Sequence, residues 1–210
     1  DRHYIGATNS TVSADYFGEY GRILLGRNRN AKGFVAALSN GASGDINNID
    51  FDGTRPPRAP FEQIQIVARK VADATWRATR NTVWDENPKV AIMQREVSLP
   101  KRTATPAEIE RAMRIIKMSD AEIKEADLPR LATNYASRTM NHKEADQTYD
   151  ILIQAIQLGD TALVTLPFEV LVEIGLEIKE KSPFPHTIFV GLANGAFGYL
   201  PTPEQHELGG

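Results

Sequence analysis

The chain has 210 residues, 41% of them hydrophobic and 24% charged, with a formal net charge of −3. That is enough apolar content to bury a core, and one domain is the expected organisation. Scattered basic residues and a slight negative balance exclude a nucleic-acid footprint; no apolar run reaches membrane-spanning length; and the lack of cysteine excludes a disulfide scaffold and any thiolate metal site.

In chain order, His3-Tyr4-Ile5-Gly6 reads as the end of a strand whose beginning lies upstream, and the chain is expected to be an internal fragment. Ser13 precedes Tyr16, Phe17, Tyr20, Ile23 and Leu24 at helical spacing, which predicts a helix over about residues 13–25. Phe34-Val35-Ala36-Ala37-Leu38 reads as a short buried strand. It empties into Asn40-Gly41-Ala42-Ser43-Gly44-Asp45-Ile46-Asn47-Asn48 and an irregular stretch reaching Pro60. A connection that long is more often a working loop than a spacer, and ligands of open α/β sheets sit at the carboxyl ends of strands. This is the candidate active-site loop.

Phe61, Ile64, Val67, Ala68, Val71, Ala74 and Ala78 mark an amphipathic helix, and residues 90–99 alternate as a strand. Thr105-Pro106-Ala107-Glu108 and Ser119-Asp120-Ala121-Glu122 are capping boxes, and Asp127 is expected to cap a further short helix. The period then changes. Residues 149–158 and 162–166 flank Gly159-Asp160 as a hairpin, and Pro167 opens a helix running to Lys181. Residues 187–192 form another strand before Asn194-Gly195, and Thr202-Pro203-Glu204-Gln205 starts a last helix. The sum is an α/β domain, a layered mixed sheet with flanking helices.

Loop 40–48, Glu169 and Tyr199 each follow a strand, and His3 is a fourth candidate in the incomplete first strand. Imidazole, carboxylate and phenol offer nitrogen and oxygen to a borderline metal such as zinc. The competing reading is structural. Glu169, Glu173 and Glu177 recur as a solvated helical stripe, Tyr199 packs beside Leu200 and Pro201, and His3 is a structural or exposed residue near the terminus. Spacing alone leaves both open.

Residues 34–48 (FVAALSNGASGDINN), 166–179 (LPFEVLVEIGLEIK) and 191–202 (GLANGAFGYLPT) together resemble the neutral/alkaline, non-lysosomal ceramidase family, in the same order. Residues 3–15 (HYIGATNSTVSAD) resemble that family's segment after a metal-binding histidine. The resemblance implies that residues 1–210 are the C-terminal part of a single catalytic domain, lacking the upstream portion and a following immunoglobulin-like domain. It also implies zinc-dependent hydrolysis of the ceramide amide bond. By motif, His3, Glu169 and Tyr199 match three zinc ligands, with one further histidine expected upstream in a His-X-His segment. The family's Gly-Asp-X-Ser-Pro-Asn reads Gly44-Asp45-Ile46-Asn47-Asn48-Ile49 here, so the resemblance makes Asn47, at the position of the catalytic serine, and Asp45 the candidate catalytic residues. A carboxamide is no nucleophile, but it can donate to an oxyanion. Ser39 and Ser43 are nearby hydroxyls outside the motif position.

The expected function is therefore metal-dependent amidohydrolysis of a lipid-like N-acyl substrate, with Asn47 steadying the oxyanion. Peripheral membrane contact and a secreted or periplasmic location follow from the resemblance alone. Two alternatives stand beside it: a lapsed ceramidase-like domain that binds without turnover, favoured by Asn47, and a hydrolase of a different N-acyl or ester substrate.

Overall fold

The computed structural model describes residues 12–29, 32–47, 52–54, 56, 58–143 and 148–208. His3 and the strand end expected at residues 3–6 lie outside them. Among the described residues the chain is mixed α/β, with seven helices, a four-stranded sheet and a two-stranded ladder. It divides into two compact units, residues 94–153 and the remainder, with the boundary inside two strands.

In the larger unit, α1 (Asp15–Arg27) and α2 (Glu62–Thr79) pack through Tyr20, Leu24, Ala68 and Ala72, with Ile23, Val71 and Trp76 around them. The helical spacing of those apolar positions puts them on facing stripes. Arg27 closes one end, pairing with Asp73 and donating to the Ala72 carbonyl at 3.2 Å. Residues 34–38, expected as a buried strand, have no regular secondary structure. Phe34, Ala36 and Leu38 press onto the α1–α2 cluster while Val35 is exposed. The run has a strand's period of two without a strand's partners, so half of it stays in water.

The four-stranded sheet has the order β1 (Val90–Pro100), β2 (Thr148–Leu158), β3 (Thr161–Leu166), β5 (His186–Gly191). β2 and β3 form the expected antiparallel hairpin, with Leu158 opposite Thr161. Gly159, first of the two loop residues, has φ 61°, as a type II′ turn requires. β3 runs parallel to β5, with Leu166 opposite Gly191, so their carboxyl ends finish side by side. Between them lie β4 (Glu169–Val170) and α6 (Val172–Lys181), and after β5 come β6 (Tyr199–Leu200) and α7 (Pro203–Glu207).

The smaller unit carries α3 (Pro106–Ile116), α4 (Asp120–Glu125) and α5 (Ala132–Met140). Both expected capping boxes form. The cap residues' backbone N–H groups, ahead of the other contacts, hold the Glu108 and Glu122 carboxyls below their usual range. Asp127 does not cap the next helix: it has φ 52°, and α5 begins at Ala132 behind a turn in which the Ala132 N–H donates to the Pro129 carbonyl at 2.8 Å. No helix among the described residues is long and apolar enough to cross a membrane.

Candidate active site at the carboxyl ends of β3 and β5

Pro167 ends β3 as expected but does not start a helix. Pro167 and Phe168 form a bend, Glu169 and Val170 a two-residue strand, Leu171 has φ −69° and ψ 152°, and α6 begins only at Val172. Glu169 therefore lies on β4, and the helical stripe shared with Glu173 and Glu177 does not exist. Glu173 and Glu177 are exposed, one bonded to Gln205 and the other paired with Lys181, whereas Glu169 is half-buried. Alternation explains the difference: Phe168 and Val170 point into the core, at 7% and 0% exposure, and Glu169 points the other way.

The segment 167–172 is held from both sides, and its backbone groups find partners in turn. On one side, the Leu192 N–H donates to the Phe168 carbonyl at 3.1 Å and the Phe197 N–H to the Pro167 carbonyl at 2.9 Å. The Glu169 N–H donates to the Gly198 carbonyl at 2.9 Å, and the Leu171 N–H to the Leu200 carbonyl at 3.1 Å. On the other side, the Gly44 N–H donates to the Val170 carbonyl at 2.8 Å. The Val172 N–H donates to the Asp45 carboxylate at 2.9 Å. The candidate loop does not leave a strand of its own. It passes the end of β5, where the Gly191 N–H donates to the Asn40 carbonyl at 3.1 Å.

This arrangement sets Glu169 directly opposite Tyr199 in the parallel β4–β6 ladder. Tyr199 is 61% exposed, and its phenol lies within the influence of the Glu169 carboxylate. That negative charge first, then the hydrogen bond and slight desolvation, raises the phenol's pKa above its ordinary value. A turn in which the Ile46 N–H donates to the Ser43 carbonyl at 3.2 Å leads to Asn47, which is exposed. Of the sequence-predicted residues, the fold thus brings Glu169 and Tyr199 together and sets the Asp45 loop against the same strand, while His3 lies outside the described residues.

Residues 191–200, between β5 and the end of β6, hold features that periodicity could not reveal. Leu192, Asn194 and Gly198 have φ of 56°, 66° and 94°. Left-handed residues in such density mark a backbone held by its surroundings. Here the clasp is Asn194, whose side-chain amide donates to Gln154 at 2.8 Å and reaches the buried Thr165 hydroxyl at 3.5 Å. The Asn-Gly step after a strand was the only sequence signal for it.

Close packing of the loop depends on small residues. A Cβ on Gly44 comes within 2.6 Å of the Glu169 carbonyl oxygen and 3.0 Å of the Val170 carbonyl carbon. Both are backbone atoms that cannot swing aside. Gly44→Ala is expected to destabilise the larger unit by about 2 kcal/mol through overpacking. Urea unfolding measures this, and a cost indistinguishable from zero would mean that the loop is not seated on β4.

The layered α/β arrangement thus sets a polar pair just beyond the carboxyl ends of a parallel strand pair, where ligands of open α/β sheets bind. Among solved structures, the chain is similar to a crystal structure of neutral ceramidase from Pseudomonas aeruginosa at TM-score 0.62 and 19% identity, covering 98% of this chain and 38% of that one. A structure of ceramidase complexed with C2 is similar at TM-score 0.61 and 17% identity, covering 95% and 38%. The fold is ceramidase-like, and the chain spans about two fifths of the length of those structures. No protein-family model and no curated protein sequence matches it.

Proposed function

We propose that the chain carries part of a zinc-dependent hydrolase site that cleaves the amide bond of an N-acyl lipid, ceramide or a relative of it. The observation that carries the reading is Glu169 and Tyr199 facing each other across the β4–β6 ladder of a ceramidase-like fold, with the Gly44–Asp45 step bonded to the same segment. Carboxylate and phenol oxygens lying side by side suit a cation, which relieves the repulsion that otherwise keeps the phenol protonated. Among the described residues no group of three or more His, Cys, Asp or Glu gathers. The reading therefore assigns the remaining positions to His3 and to a histidine upstream of it.

Zinc, when bound, supplies Lewis-acid polarisation of the acyl carbonyl. Glu169 and Tyr199 hold and orient the ion, and Asn47 offers its carboxamide N–H to the oxygen on which negative charge develops. Water is consumed, the C–N bond breaks, and a fatty acid and a sphingoid amine leave. A second reading, a binding domain without turnover, rests on Asn47 at the position of the motif serine.

Metal analysis of protein that includes the upstream histidine segment, paired with a panel of N-acyl substrates, tests the proposal. Stoichiometric zinc that is lost on Glu169→Gln, together with N-acyl hydrolysis, is the expected result. Zinc retention by the Glu169→Gln variant removes Glu169 from the shell. Zinc-loaded protein that hydrolyses no N-acyl or ester substrate selects the binding reading.

A further inference from the structure

α6 begins without a cap of its own. Its N-cap residue, Leu171, has no side-chain acceptor, and the first N–H groups of any helix need partners. The acceptor arrives from 127 positions upstream, where Asp45 takes the Val172 N–H at 2.9 Å. A carboxylate there is also favoured by the positive end of the helix. One residue earlier, the Gly44 N–H is fixed to the Val170 carbonyl at 2.8 Å. Two consecutive loop residues thus grip Val170 and Val172, immediately after Glu169. One residue past Asp45, the Ile46 N–H closes the turn onto the Ser43 carbonyl at 3.2 Å and aims the chain at Asn47.

We propose that Asp45 is a positioning residue, the latch that registers the Asn47 loop against the strand carrying Glu169, and that it takes no direct part in chemistry. The proposal rests on the site reading above. It adds that the Asp45–Val172 hydrogen bond is the polar link between loop and helix start, beside the packing of Ala42 on Gly175: when α6 loses its borrowed cap, Asn47 loses its register while Gly44 stays seated on Val170. The amide carbonyl of Asn accepts from a helix N–H as well as Asp does, whereas Ala cannot. The acceptor and the charge are therefore separable by substitution.

The test compares Asp45→Ala and Asp45→Asn with the parent chain. Amide hydrogen exchange reads the latch without any substrate. In Asp45→Ala, exchange at Val172 should quicken about fivefold, the worth of a typical cap, with matching shifts in the Ile46 and Asn47 amide resonances. In Asp45→Asn both should return to parent values. In zinc-loaded protein acting on an N-acyl sphingoid probe, Asp45→Ala should lower kcat by about 10–100-fold at unchanged KM and zinc content, since a misplaced group costs turnover rather than binding. Asp45→Asn should restore it. Unchanged Val172 exchange in the alanine variant, or an asparagine variant as loosened as the alanine one, overturns the latch. So does full turnover by Asp45→Ala. A parent protein with no turnover counts against the proposed hydrolase alone, because the exchange measurement still decides the coupling.

Discussion

Truncating Phe168 to alanine is expected to cost about 3–5 kcal/mol, the range for emptying a buried aromatic position. Phe168 is 7% exposed, between Pro167 and Val170, the two largest fully buried side chains among the described residues. Its ring lies 6.0 Å from that of Phe197 at a tilt of 53°. The backbone on both sides is fixed by bonds to residues 192–200 and to Gly44, so the site cannot collapse to fill the gap. A loss of this size is a large part of the 5–15 kcal/mol that holds a typical domain together. Urea unfolding should show a sharply lowered midpoint, and Tyr199 should detach from Glu169 because the segment beneath them has lost its anchor. A cost below about 1 kcal/mol would show that the aromatic pair does not support the ladder.

Periodicity and caps located most elements because the forces behind them are local. Apolar spacing placed α1 and α2, the capping boxes placed α3, α4 and α7, and the Gly159-Asp160 turn placed the β2–β3 hairpin. The failures at Pro167 and Glu169 share a cause. Pro167 looked like the first residue of a helix, yet α6 starts five residues later, with no Ser, Thr, Asn or Asp before it to announce the start. Its acceptor is Asp45, too distant in sequence for any local pattern to reveal. The same misreading put Glu169 on a helical stripe. Its actual neighbour, Tyr199, is reached through a ladder of two-residue strands, too short to leave a periodic trace. Residues 34–38 failed differently: alternation reports which side chains face a core, but not whether the backbone finds a sheet to join. The pairing of Glu169 with Tyr199 was legible only through the resemblance of whole sequence blocks, since it is made by contacts between segments 30 residues apart.

Asn47→Ala is expected to lower turnover of an N-acyl substrate by about 10²–10³-fold in zinc-loaded protein, the usual effect of deleting one oxyanion donor. The residue is exposed, just past the turn that Ser43 and Ile46 close. Urea unfolding of the variant separates a lost oxyanion donor from a loosened loop. Gly44→Ala and Phe168→Ala act on the seat of the loop, whereas Asn47→Ala changes what the loop presents. Asn47→Ser makes the complementary test. On the proposed hydrolase reading, a hydroxyl at this position completes a Gly-Asp-X-Ser sequence, and turnover should rise or shift among N-acyl and ester substrates. Equal turnover by parent and alanine variant at the same zinc occupancy removes Asn47 from the mechanism. If only the serine variant turns substrate over, the parent is a binding domain whose chemistry was lost with a single side chain.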